Sequence, residues 1–189
     1  MSITLLLLLA LGFGLAGWLA ARAKAWSFRR SGQARLAALP SYHGWYVALW
    51  IVIPMLLFIA LWGAIAPGLV TQAVLSDPAA SGLPAFGFQR QTILGEAQAV
   101  ASGTARAVFN PAAAPLVEPY RAAMARYDTI GVVIALTIAF AAGAYAFLRL
   151  KPDFTARTRV ERAVMAILIV ASLVAILTTL GILISLVFE

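Results

Sequence analysis

Four blocks of the chain carry no charged residue: Ser2–Ala21, Trp45–Ala66, Thr129–Leu148 and Ala163–Phe188. A helix needs about 20 mostly apolar residues to cross roughly 30 Å of hydrocarbon at about 1.5 Å per residue. Each block meets that length, and the last, at 26 residues, leaves room for tilt. Their apolar runs do not alternate, which excludes the two-residue period of a transmembrane β-barrel. The pattern therefore predicts an all-α integral membrane protein with four transmembrane helices. Three parts follow: a hairpin over 1–66, a longer outer segment over 67–128 and a second hairpin over 129–189.

Between the blocks the pattern changes. Residues 22–44 contain Ser31-Gly32 and Leu39-Pro40-Ser41, so a helix leaving the first block must break before Pro40. Tyr42, His43, Trp45 and Tyr46 mark the entry to the second block, where aromatic rings sit at headgroup level. Pro54 predicts a kink within that block. The outer segment opens on breakers: Pro67-Gly68, Asp77-Pro78, Gly82, Pro84 and Gly87. From Gln89 to Val108 a weak helical period places Ile93, Ala97, Val100, Thr104 and Val108 on one face. A second short helix is expected from Pro119, with Tyr120, Met124 and Tyr127 leading towards the third block. This segment looks too small and alanine-rich for a core of its own, and is expected to fold against the membrane surface or a partner. Thr158-Arg159-Val160-Glu161 reads as a capping box that opens the fourth helix.

Composition agrees with the pattern. Hydrophobic residues make up 63% of the 189 and charged residues only 11%, with a mean hydropathy of +0.94. That leaves too little polar surface to cover a water-soluble globule. Cysteine is absent, which removes disulfides, thiolate metal sites and a cysteine nucleophile.

The net charge of +7 is informative through its placement. Arg22, Lys24, Arg29, Arg30 and Arg35 lie in 22–44 with no acid. Arg149, Lys151, Arg157, Arg159 and Arg162 lie in 149–162 against Asp153 and Glu161, while 67–128 holds four residues of each sign. Basic loops stay in the cytoplasm, and both fall on one side of a four-pass chain. The expected topology puts the N-terminus and the 67–128 segment outside. A cleaved signal peptide is disfavoured for the first block, because positive charge follows the apolar run instead of preceding it.

Candidate chemistry is sparse. The four blocks lack Asp, Glu, Lys, Arg and His, and intramembrane ionisable residues are the usual marks of ion or proton paths. His43 is the sole histidine, which excludes a His-pair metal site and favours a polar interfacial role. No catalytic constellation, cofactor motif or nucleic-acid module is present, and no enzyme is expected. Small residues recur every fourth position at Gly131, Ala135, Ala139 and Gly143, and again at Ala171, Ala175 and Thr179. Such strips let helices approach closely where lipid supplies no hydrophobic force.

Two stretches resemble one family. Leu39-Pro40-Ser41-Tyr42-His43-Gly44-Trp45-Tyr46-Val47-Ala48-Leu49-Trp50 is similar to the segment entering the second span in the extended N-terminal region of phosphate ABC transporter permeases of the PstC type. Val160-Glu161-Arg162, then Ala171-Ser172-Leu173-Val174-Ala175-Ile176-Leu177-Thr178-Thr179-Leu180-Gly181-Ile182 and Ser185-Leu186-Val187-Phe188-Glu189, resembles the start of the permease core in the same proteins. The resemblance implies a bacterial inner-membrane protein whose partners are the lipid bilayer, a second permease subunit, a cytoplasmic ATPase and a periplasmic phosphate-binding protein. It also implies that core helices follow residue 189, and that the N-terminal helices brace them. Glu96-Ala97-Gln98-Ala99 with Gly103 is superficially similar to the coupling loop of such importers. Its glycine is one position late and its segment lies outside, where no ATPase reaches. The alternative from another class is a small structural membrane protein that stabilises a different complex through its small-residue strips.

Overall fold

The computed structural model describes residues 3–30, 39–84, 86–151 and 155–188. All regular structure among them is helical: α1 (Ile3–Arg30), α2 (Pro40–Leu75), α3 (Gly87–Ala101), α4 (Val117–Leu148) and α5 (Ala156–Phe188). Short 3₁₀ turns at Pro78–Gly82 and Pro111–Leu116 flank α3. Four helices, α1, α2, α4 and α5, are long and apolar enough to cross a membrane. The chain divides into two compact units, one formed by Met1–Leu9 with Met55–Ile138 and the other by Ala10–Pro54 with Ala139–Glu189.

In the first unit the segment after the second apolar block has a core of its own, contrary to the expectation from its composition. Val70 and Val74 of α2, Ile93, Leu94 and Ala97 of α3, Ala113 and Leu116 of the second 3₁₀ turn, and Tyr120 of α4 bury one another. This core explains why α2 does not stop at Pro67-Gly68. The helix continues to Leu75, because ending it at Pro67 would leave Val70 and Val74 without their places. A proline removes one helical hydrogen bond, and burial of two valines offsets that loss at about 1.5–3 kcal/mol each. The same logic merges the short helix expected at Pro119 with the third apolar block, since α4 runs unbroken from Val117. Pro119 stands in its first turn, where its missing N–H has no helical acceptor in any case.

Two Asx-proline turns connect these pieces. The Asp77 carboxylate accepts from the Ala79 N–H at 2.9 Å, and the Asn110 side chain accepts from the Ala112 N–H at 3.0 Å. Each is followed by a proline that starts a 3₁₀ turn. Helix α3 ends at Ala101, seven residues short of the Val108 expected from periodicity. Gly103 takes φ +80, its N–H donates to the Val100 carbonyl, and the Thr104 N–H donates to that of Ala99. These two bonds form a Schellman motif, and glycine supplies the left-handed residue at its end.

The second unit is packed through glycines. Ile51 of α2 sits where a side chain on Gly17 of α1 or on Gly143 of α4 would have to go. Gly14 faces Val52 in the same way, and Gly44 faces Trp18. Helix α5 shares little of this packing. Ala156 and Val160 are buried, whereas every residue from Val164 to Phe188 is exposed. Its start also differs from the capping-box reading. The helix begins at Ala156, two residues before Thr158, and Glu161 accepts from Arg157 Nε at 2.7 Å. An i,i+4 ion pair has taken the carboxylate that the box required.

Candidate functional site

The basic residues of the second unit gather with aromatic rings at the helix ends. Lys24, late in α1, donates from Nζ to the Phe147 carbonyl at 2.9 Å and stands 4.3 Å from the Phe147 ring centre. The Phe147 carbonyl also accepts from the Leu150 N–H at 3.3 Å, and α4 has no basic residue in its own last turn. Lys24 adds a second hydrogen bond and the positive charge that a helix C-terminus favours. The Arg22 guanidinium lies 5.0 Å over Trp18, and that of Arg149 lies 4.7 Å over Tyr145. Tyr145 packs on Trp50 at 5.3 Å between ring centres, and Trp50 on Tyr46 at 6.3 Å. These pairings hold the cations against apolar surface, worth about 0.5–1 kcal/mol each where exposed.

At the start of α5, Arg157 pairs with Glu161. The hydrogen bond first and the carboxylate's charge second raise the Arg157 guanidinium above its ordinary value. Arg159 and Arg162 border a cleft of about 370 Å³ between α5 and α2. Arg29 and Arg30 belong to the last turn of α1, but their side chains and the whole of Arg35 lie outside the described residues. Lys151 is exposed.

His43 is fully buried in the first turn of α2, with Nδ1 3.3 Å from the Leu39 carbonyl. Among the described residues no group of three or more His, Asp or Glu could hold a metal ion. Gly131, Ala135, Ala139 and Gly143 of α4 are all buried. The Trp62 ring occupies the place a Cβ on Gly131 would take, with Cδ1 at 2.9 Å. Ala171, Ala175 and Thr179 of α5 are exposed.

A family model described as phosphate ATP-binding cassette transporter matches residues 4–178. The chain belongs to this family. No curated protein and no solved structure matches it. The match extends through both units and takes in all of α2, α3 and α4, so the core around α3 is as much a part of the transporter family's domain as the long apolar helices. A transporter-type membrane chain also accounts for spans that carry packing surfaces in place of reactive groups.

Sequence reasoning missed three features of this transporter chain. Phe86, Phe88 and Phe109 are 76%, 83% and 94% exposed, and the signal was available as aromatic residues set among breakers. Glu96 accepts from the N–H groups of Phe109 and Asn110, a contact 13 residues long that no local pattern announces. The glycines Gly14 and Gly17, which admit Val52 and Ile51, were visible as a spacing but not as an interface.

Proposed function

We propose that this chain is the N-terminal membrane region of a phosphate importer permease, and that it braces the transport core through α5. The observation that carries this reading is the condition of α5. The helix has 33 residues, and none of its apolar window is buried by the rest of the chain, while the other three long helices each bury part of theirs. Thr178 and Thr179 donate to the Val174 and Ala175 carbonyls at 2.8 and 2.9 Å. Their hydroxyls are thus satisfied locally, and the face with Ala171 and Ala175 is left smooth and small. Such a face packs against another helix better than lipid chains do. The partner it fits is the transport core of the complex, which on this reading also includes a second permease subunit and a cytoplasmic ATPase.

The outer segment is, on the same reading, where the periplasmic phosphate-binding protein docks. Its support is the exposure of Phe86 just before α3, Phe88 in the first turn of α3 and Phe109 on the loop after it, with the chain held in place on both sides. Arg90 Nε donates to the Pro84 carbonyl at 3.3 Å on one side, and Glu96 holds the Phe109 loop on the other. The setting is the bacterial inner membrane with the N-terminus periplasmic.

Single cysteines test the bracing directly, because the chain has none of its own. Ala171→Cys and Ala175→Cys are expected to form crosslinks to the transport core of the assembled importer. Crosslinks to an unrelated complex alone would support a scaffold in its place. For docking, Phe86→Ser, Phe88→Ser and Phe109→Ser together should abolish co-purification of the binding protein and lower phosphate uptake. Unchanged uptake and association would remove the docking role while leaving the brace intact.

A further inference from the structure

Helix α1 carries a stripe at helical spacing, Leu11, Gly14, Leu15, Trp18 and Arg22, that ends in a cation. The first four line one side of a furrow of about 320 Å³ in the second unit, and Trp45, Ala48 and Val52 of α2 line the other. We propose that this furrow holds one acyl chain of an anionic glycerophospholipid, whose phosphate is taken by Arg22.

The order of residues along the furrow follows the order of groups along a lipid. A side chain on Gly14 would meet Val52, one on Gly17 would meet Val47 and Ile51, and one on Gly44 would meet Trp18. The two helices therefore run antiparallel, with Leu11 and Val52 at one end of the furrow and Trp18 and Trp45 at the other. The aliphatic end suits a chain terminus, and indole rings prefer the level of the headgroup. Beyond them the Arg22 guanidinium lies 5.0 Å over the Trp18 ring. Leu11 and Arg22 stand 11 residues apart, about 16 Å along a helix. That is roughly half of a 30 Å hydrocarbon core, the depth of one leaflet.

Two contacts place the cation. The edge of Trp18 rests against Gly44, so the ring lies close on α2 and Arg22 over it stands at the end of the furrow. The ring attracts the charge and leaves the five N–H donors of the guanidinium for phosphate oxygens, which match its planar fork. The stretch 22–44 adds four more basic residues and no acid, a local excess that draws anionic headgroups.

Free phosphate would satisfy Arg22 but not the furrow. A zwitterionic lipid would fill the furrow but bring its own cation against the guanidinium. A partner helix, about 10–12 Å across, would rest on the exposed rims at Leu11, Leu15 and Trp45. An anionic phospholipid satisfies both parts, and the volume lies within the range of small-molecule sites.

The experiment is native mass spectrometry of the purified chain in mild detergent, with phosphatidylglycerol and phosphatidylcholine of identical acyl chains. The wild type should retain phosphatidylglycerol preferentially. Arg22→Gln should weaken that retention about fivefold, the contribution of one arginine near an anionic headgroup, whereas Lys151→Gln should leave it nearly unchanged. Ala48→Leu narrows the furrow with every charge in place and should weaken retention at least as much as Arg22→Gln. Ile176→Trp, on the exposed part of α5, should not, with circular dichroism confirming helix content throughout. Equal retention of the two lipids by the wild type overturns the proposal without any variant. Equal losses in Arg22→Gln and Lys151→Gln, or full retention by folded Ala48→Leu, would reduce the effect to surface charge and overturn it too. Displacement of the lipid by millimolar inorganic phosphate would assign Arg22 to the free anion. Lipid-free dimers that disappear with Ala48→Leu would assign the furrow to a second copy of the chain, and either result ends the proposal.

Discussion

At Gly44 the structure makes a demand that a single methyl group would violate. A Cβ there would lie 2.7 Å from Trp18 Cδ1 and 3.0 Å from the Trp18 carbonyl oxygen. The ring could turn aside, but the carbonyl belongs to the backbone of α1 and cannot. Gly44→Ala is therefore expected to destabilise by about 1–3 kcal/mol, the usual range for overpacking. Gly95, exposed in α3 with open space around it, is the contrasting case. Gly95→Ala should be neutral or stabilise by up to about 1 kcal/mol, because alanine loses less backbone entropy in a helix. Thermal unfolding of both variants in the same detergent, followed by circular dichroism, separates the two. A Gly44→Ala protein as stable as the wild type would mean that α1 and α2 do not approach as described.

At the scale of the element, the core around α3 turns on one carboxylate. Glu96 on α3 accepts from the N–H groups of Phe109 and Asn110 and so ties the stretch after Gly103 back onto the helix. A charge-assisted bond of this kind contributes about 1.5–3 kcal/mol. Glu96→Ala should speed amide hydrogen exchange at Phe109 and Asn110 by tenfold or more and leave that of α3 itself nearly unchanged. Slowed or unaltered exchange there would show the loop to be held by something else. This tie also marks the limit of what the sequence conveys. The four long helices were legible because a charge-free run of 20 residues has few alternatives in lipid. The end of α3 was not, since a weak period continued past Gly103 while the glycine's backbone freedom and the Schellman bonds stopped the helix there. Pro67 misled in the opposite direction, because burial of Val70 and Val74 outweighed a local breaker. The capping box failed for a third reason, as Arg157 competed successfully for Glu161. Small-residue spacing identified smooth helix faces, but period alone carries nothing about what faces them. In α4 they meet Trp62 and Ile51, and in α5 they lie exposed.

For the whole molecule, the distribution of charge determines which way the helices thread the bilayer. Ten of the fourteen basic residues fall in 22–44 and 149–162, and the stretch 67–128 is balanced. Helix α2 leads from the first of these basic stretches into the balanced one, and α4 leads from it to the second. If each crosses once, both basic stretches share a side, which is the arrangement that retention of arginine and lysine in the cytoplasm requires. On the proposed reading, the long, proline-punctuated segment with its own core faces the periplasm, where the proposed phosphate-binding partner meets Phe86, Phe88 and Phe109. Orientation can be read from two exposed positions, one in each kind of stretch. In intact cells a membrane-impermeant maleimide should label Gln91→Cys strongly and Lys151→Cys only after permeabilisation. Labelling of Lys151→Cys in sealed cells, with Gln91→Cys protected, would invert the topology. The aromatic face would then be turned to the cytoplasm, where no periplasmic protein could meet it, and the basic cleft of α2 and α5 would open on the outer leaflet.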